Sequence, residues 1–195
     1  MADRPERISP LHAVAEPGVY GANTDAPQVE LSERLCGSLV QVQAWPDTAA
    51  EVEKRFAKEL GVKPGKLGVT KGDVIIMPTG PGRWLIDHED EGLEARLRKA
   101  VPVDLAAVTG LTHARVVVSL NGPKAAWVMA SGVALDFDLS AFPVGGVQVS
   151  HHHEIGLTIH RTREDGFDLY GFTSYALGLW HWATHASAEV GYRVS

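Results

Sequence analysis

The stretch Ser38-Leu-Val-Gln-Val-Gln-Ala-Trp45 alternates, with Val40, Val42 and Ala44 on one face and Gln41 and Gln43 between them, as a half-buried strand requires. Pro46 ends it, and Thr48-Ala-Ala-Glu51 has the spacing of a capping box at a helix start. Ala49, Val52, Phe56 and Leu60 then recur at helical spacing, and Gly61 marks the stop. Asp73–Met77 and Arg83–Asp87 read as two strands joined by a turn at Thr79-Gly-Pro-Gly82. Asp90 is placed to cap a second helix with a Leu93, Leu97, Ala100 stripe, Pro102 closes it, and Val103–Val108 supplies another strand. This order, β-α-β-β-α-β, is the split βαβ arrangement of ferredoxin-like units.

Working outward, the later half repeats the pattern. Ala114–Leu120 is a β-branched strand, Asn121-Gly-Pro123 opens a helix ending at Gly132, and Val147–His153, Ile155–Arg161 and Phe167–Phe172 read as strands. Asp165-Gly166 is a hairpin turn, and Thr173 or Ser174 caps a last helix carrying Ala176, Leu179, Trp180, Ala183 and Val190, closed by Gly191. The expected fold is therefore α+β, two tandem ferredoxin-like βαββα units forming one domain over 38–195, with halves at 38–109 and 113–191. Residues 1–37, rich in Pro, Gly, Ala and charge without sustained periodicity, read as an extended N-terminal arm ordered only by contact with something else.

Composition narrows the function classes. The chain has 195 residues, 45% hydrophobic and 22% charged, which is ordinary for a globular protein. Eighteen basic against 24 acidic residues give a net charge of −6, and no basic stripe carries interleaved aromatics, so nucleic acid is not an expected partner. No apolar run reaches the roughly 18 residues a membrane span needs, and Met-Ala-Asp-Arg-Pro-Glu-Arg7 lacks the apolar stretch of a secretory signal. The single cysteine, Cys36, has no internal disulfide partner and no neighbour that lowers its pKa, so it reads as a bystander thiol in a reducing, cytoplasmic compartment.

The residues with chemical potential each have a plainer use. In His151-His152-His153-Glu154, alternation lets His151 and His153 share a metal but turns His152 away. His181 and His185 have the spacing of zinc-enzyme helices, but Trp182 stands where the general base belongs. Asp136 and Asp138 fit a solvated turn better than an acid–base pair. Gly80-Pro-Gly82 and Gly145-Gly146 lack a phosphate-loop context. Trp84, Trp127, Trp180 and Trp182 lie on periodic elements where packing or interface use is usual. No catalytic, cofactor-binding or metal-ligating set is assigned, and the chain reads as a subunit rather than an enzyme alone, with Arg115 and Trp180 as anchors at an interface or in its own core.

Several motifs taken in order resemble the gamma subunit of heterotetrameric sarcosine oxidase. They are Ser9-Pro10-Leu11, Gly82-Arg83-Trp84-Leu85, Thr112-His113-Ala114-Arg115-Val116-Val117-Val118 followed by Asn121-Gly122-Pro123, Phe142-Pro143 with Gly145, Phe167-Asp168-Leu169-Tyr170, Ser174-Tyr175-Ala176 and Leu179-Trp180-His181-Trp182. The resemblance implies a fold like the folate-binding domain of aminomethyltransferases. It also implies a non-catalytic place in a flavoenzyme that oxidatively demethylates sarcosine to glycine, giving hydrogen peroxide and formaldehyde or 5,10-methylenetetrahydrofolate. In such a complex FAD, FMN, NAD, tetrahydrofolate and zinc sit on other subunits, and the partners are the alpha, beta and delta chains, chiefly alpha. The chain departs from the family pattern at Gly132-Val133-Ala134, at Thr173 and over His151–His153. A related oxidase or dehydrogenase for another N-methylated amino acid, or a stand-alone folate- or metal-binding module, stays open at this point.

Overall fold

A computed structural model describes residues 8–22 and 25–195. In the first half, β3 (Ser38–Ala44), α1 (Ala49–Glu59), β4 (Val69–Lys71), β5 (Val74–Gly80), β6 (Arg83–His88), α2 (Leu93–Ala100) and β7 (Ala106–Gly110) follow one another. They form a five-stranded sheet ordered β4-β5-β6-β3-β7, antiparallel throughout. The second half repeats the order with β8 (Arg115–Asn121), α3 (Ala125–Ala130), β9 (Val147–His152), β10 (Ile155–Arg163), β11 (Gly166–Phe172), α4 (Ala176–Ser187) and β12 (Tyr192–Val194). A single 3₁₀ turn at Thr173–Tyr175 leads into α4.

The expected arm needs correction. Its described part contributes β1 (Gly18–Tyr20) and β2 (Val29–Glu33) to the second sheet, whose order is β1-β12-β2-β8-β11-β10-β9. Strand β2 lies antiparallel to β8 and parallel to β12, so it separates two strands that a ferredoxin-like half would pair directly. Leu11, Val29 and Leu31 are buried in the same core. The segment is held by its own sheet, because five-residue β2 finds both its ladders within the chain. Residues 1–7, Asn23 and Thr24 of that expected arm lie outside the described residues.

Alternation along the strands builds four layers. Val40, Val42, Trp84 and Ile86 face α1 and α2, where they meet Val52, Phe56, Leu93 and Leu97. Val116, Val118, Leu120, Phe167 and Leu169 face α3 and α4, meeting Val128, Met129, Leu179 and Trp180. The opposite faces meet each other: Leu39, Met77 and Leu85 from one sheet pack with Val117 and Tyr170 from the other, and Cys36 is buried among them. The order is thus helices, sheet, sheet, helices, with a seam between the sheets.

Several local readings come out differently: the N-cap of α2 is Gly92 rather than Asp90, and the strand expected at Val103–Val108 runs instead from Ala106 to Gly110. Thr48 does begin α1 but makes no side-chain cap. Its hydroxyl donates instead to the Trp45 carbonyl at 2.9 Å and the Leu105 carbonyl at 2.6 Å, fastening the helix start to the approach to β7. The last helix ends at Ser187, not at Val190, and Gly191 with φ +75° turns the chain into β12. The Asn121-Gly-Pro123 motif has a tertiary cause: Gly122 takes φ +122°, and a Cβ there would stand 2.4 Å from the Gln28 carbonyl oxygen. Only glycine lets the incoming N-terminal strand approach so closely.

Candidate functional site

Polar side chains gather at the seam because the register leaves them no other direction. On β6, Leu85 and Asp87 point inward while Trp84 and Ile86 point to the helices; on β11, Asp168 and Tyr170 alternate in the same way with Phe167 and Leu169. Arg34, one residue beyond β2, reaches into this space. Its Nη2 donates to Asp87 Oδ2 at 2.5 Å and to the Tyr170 hydroxyl at 2.7 Å, and its Nε donates to Asp168 Oδ2 at 3.2 Å. Tyr170 Oη donates to Asp87 Oδ2 at 2.9 Å, and Ser119 Oγ to Asp168 Oδ1 at 2.6 Å.

Burial disfavours the Arg34 charge, but Tyr170, Asp87 and Asp168 outweigh it and hold the guanidinium above its ordinary value. Burial, reinforced by the Asp87 charge, raises the Tyr170 phenol well above its ordinary value, so the hydroxyl stays a donor. His160 on β10 is also buried, with Nδ1 unpaired, and desolvation lowers its pKa. Both carboxylates are engaged by side chains of this chain. The arrangement ties the N-terminal segment and the two sheets together. It was missed from sequence because its partners lie 53 and 134 positions apart.

A second place with chemical character is a cavity of about 1110 Å³ where the two halves join. Its wall includes Ile8, Glu91, Glu94, His113, Arg115 and Thr173, which places the Thr112–Arg115 motif on a cavity. The Arg115 guanidinium lies 3.7 Å from the centroid of the Phe172 ring. Burial alone lowers its pKa.

The residues singled out by sequence scatter. His152 turns inward, stacks on Trp182 at 4.5 Å, and uses Nδ1 to meet the Gly132 carbonyl at 2.9 Å. His151 and His153 stay exposed, His153 at φ +47° in the turn, and His181 and His185 lie on the exposed face of α4. Among the described residues, no group of three or more His, Cys, Asp or Glu could hold a metal ion. Asp136 Oδ1 accepts the Asp138 N–H, and Asp138 accepts the Ser140 hydroxyl and N–H, which lower its pKa; this is a solvated turn. Trp84 is packed edge-on against Phe56, Trp180 is buried in the second core, and Trp127 is exposed. No described helix is long and apolar enough to cross a membrane.

The profile of the sarcosine oxidase, gamma subunit family matches residues 42–189. The chain belongs to the sarcosine oxidase gamma-subunit family. Sarcosine oxidase subunit gamma of Corynebacterium sp. (strain P-1) is 28% identical over 187 residues, covering 94% of this chain and 91% of that one. The corresponding subunit of Arthrobacter sp. is 27% identical over the same shares. Among solved structures, a chain of the heterotetrameric sarcosine oxidase from Corynebacterium sp. U-96, in complex with pyrrole 2-carboxylate, superposes with a TM-score of 0.79 at 23% identity, over 93% of this chain and 95% of that one. Aminomethyltransferase T of the glycine cleavage system from Bartonella henselae superposes at 0.63 and 17% identity, over 92% of this chain and 56% of that one. The gamma-family chain therefore has the aminomethyltransferase-like α+β fold expected from its motifs.

Proposed function

We propose that this chain is the non-catalytic gamma subunit of a heterotetrameric sarcosine oxidase-type complex. The reading rests chiefly on the gamma-family match over residues 42–189, which spans both halves of the fold. The seam supports it: its two buried carboxylates are spent on Arg34, Tyr170 and Ser119, which serves cohesion rather than turnover. In this reading the complex oxidatively demethylates sarcosine to glycine, with hydrogen peroxide and formaldehyde or 5,10-methylenetetrahydrofolate as products. FAD, FMN, NAD, tetrahydrofolate and zinc reside on the alpha, beta and delta subunits, alpha being the main contact, and the complex works in the cytoplasm.

The test is co-expression of the tagged chain with its neighbouring open reading frames, followed by pull-down, an absorbance spectrum and an oxidation assay over a panel of N-methylated amino acids. A stoichiometric yellow complex that turns over sarcosine fits the proposal, and a preference for another member of the panel moves the substrate. A colourless monomer that recruits no flavin-binding partner removes the reading.

A further inference from the structure

His160 is a buried titratable group whose Nδ1 has no hydrogen-bond partner, and the subunit reading does not use it. It closes a polar row laid across the second sheet. Strand register sets Ser32 opposite Ser119, Ser119 opposite Asp168, and Asp168 opposite His160. Ser119 donates to one oxygen of Asp168 and Arg34 to the other, so both oxygens are already engaged beside the imidazole. Only 3% of His160 is exposed.

A piece of the first half lies over it. The connection between α1 and β4 is anchored at Val62 and Pro64, both buried, and again where Val69 pairs with Ile76. Between these anchors Gly65, Lys66 and Leu67 are exposed, and Gly68 rests on the second half. The Gly68 N–H donates to the Gly145 carbonyl at 2.6 Å. A Cβ at Gly68 would stand 3.0 Å from the Gly145 carbonyl oxygen, 3.1 Å from His160 Nε2 and 3.1 Å from Val147 Cγ2. The bare backbone of a glycine therefore sits directly on the imidazole.

Burial opposes a charge on His160 most strongly. Asp168 from β11 and Asp87 from β6 favour it, and Arg34 from the end of β2 opposes it. Tyr170 in the same network stays neutral. The covering connection carries two lysines and no carboxylate between positions 62 and 69, so it brings no counter-charge of its own. A proton on this imidazole thus calls for water, and water reaches it when the cover lifts.

We propose that residues 65–68 form a proton-operated flap, closed over neutral His160 and opened to solvent as His160 takes up a proton on acidification. The closed form holds the histidine below its ordinary 6.5, whereas the open form lets it titrate near that value. Closure is therefore fully favoured above 6.5 and is lost as the pH falls from there toward the closed-state pKa. Over that window the opening equilibrium rises by up to about tenfold per pH unit.

The experiment is amide hydrogen exchange of the full-length chain, read by NMR from pH 7.5 to 5.5 and corrected for the intrinsic pH dependence of exchange. The Gly68 amide is expected to open far more readily than those of Val42 and Ile86 in the first sheet, and about tenfold more at pH 5.5 than at 6.5. A four-residue flap exposes little surface, so Gly68 exchange is expected to ignore low urea while Val42 and Ile86 respond to it. His160→Leu is expected to flatten the pH profile at Gly68. Gly68 exchange with the same protection and urea response as the strands makes its opening global unfolding and overturns the proposal. A flat wild-type profile, or an acid rise that persists in His160→Leu, overturns it as well. Should that variant fail to fold, the imidazole titration of His160 in the wild-type chain decides: a midpoint shared with the Gly68 change supports the flap, and separate midpoints sink it.

Discussion

The half built on β3 to β7 and the half built on β8 to β12 share one order of elements but are closed by different means. In the first, β7 pairs directly with β3, so every strand comes from one continuous stretch of chain. In the second, β12 does not pair with β8; β2, from far upstream, lies between them, and β1 extends the edge beyond. The first sheet pairs only strands of its own half, whereas the second is completed only when β1 and β2 arrive. The difference extends to chemistry: Asp168, Tyr170 and His160 belong to the second half, while Asp87 is what the first contributes to their company.

Leu31→Ala tests this comparison most severely. Leu31 is fully buried in the core between the second sheet and its helices, and truncation of such a leucine costs about 2–5 kcal/mol. Urea unfolding of the purified chain measures it. A loss under about 1 kcal/mol, within the range of a surface change, would make β2 peripheral and the two halves equivalent. Asp87→Asn comes next. It keeps the shape but weakens acceptance from both Arg34 and Tyr170, and leaving such buried groups poorly satisfied costs about 1–3 kcal/mol. Its effect should overlap with that of Tyr170→Phe, because the two share one network and do not add. Additive losses would mean the seam holds two independent bonds rather than one joint between the halves.

Much of the first comparison was legible in the chain. The alternation of Val40 and Val42, the Leu93 and Leu97 spacing and the β-branched run at Val116–Val118 report local periods of 2 and 3.6, and local periods survive into the structure wherever one face is buried. What escaped were β1, β4 and β12, at three residues each too short to show a period, and β2, whose Val29-Glu-Leu-Ser-Glu33 does alternate but is set in a segment dense with Pro and Gly. That alternation was the available signal. The capping box failed for another reason: Thr48 has the right spacing, but the Leu105 carbonyl offers a tertiary acceptor that no window of sequence contains. The seam was hidden in the same way. Asp87 and Asp168 each sit on strands whose position was readable, but their pairing through Arg34 depends on how two sheets stack, which no local pattern encodes.

Thr48→Ala carries a smaller expected effect and sharpens the picture of the first half. It removes the one hydroxyl donor that the Trp45 and Leu105 carbonyls share, for a loss of about 0.5–1.5 kcal/mol. If the fastening to β7 is what matters, Thr48→Asn, a good N-cap residue, will not restore stability. Full recovery with asparagine would mean that ordinary capping is the role after all.

At neutral pH the least disturbance is expected from His160→Leu, and its value lies in the pH profile. Burial lowers the folded-state pKa of His160 below its ordinary 6.5, with Asp168 and Asp87 pulling upward and Arg34 downward, while the backbone of Gly68 packs close to its Nε2 side. Below pH 6.5 the unfolded chain binds a proton that the folded chain refuses, so stability rises with pH there. The contribution of neutral His160 is complete above 6.5 and is lost as the pH falls through that value toward the folded pKa. Chemical unfolding between pH 7.5 and 5 should therefore show wild type losing stability faster than His160→Leu on the acid side. Equal slopes would mean that the seam admits a charged imidazole, and with it that the second half's interior is no more sensitive to charge than the first.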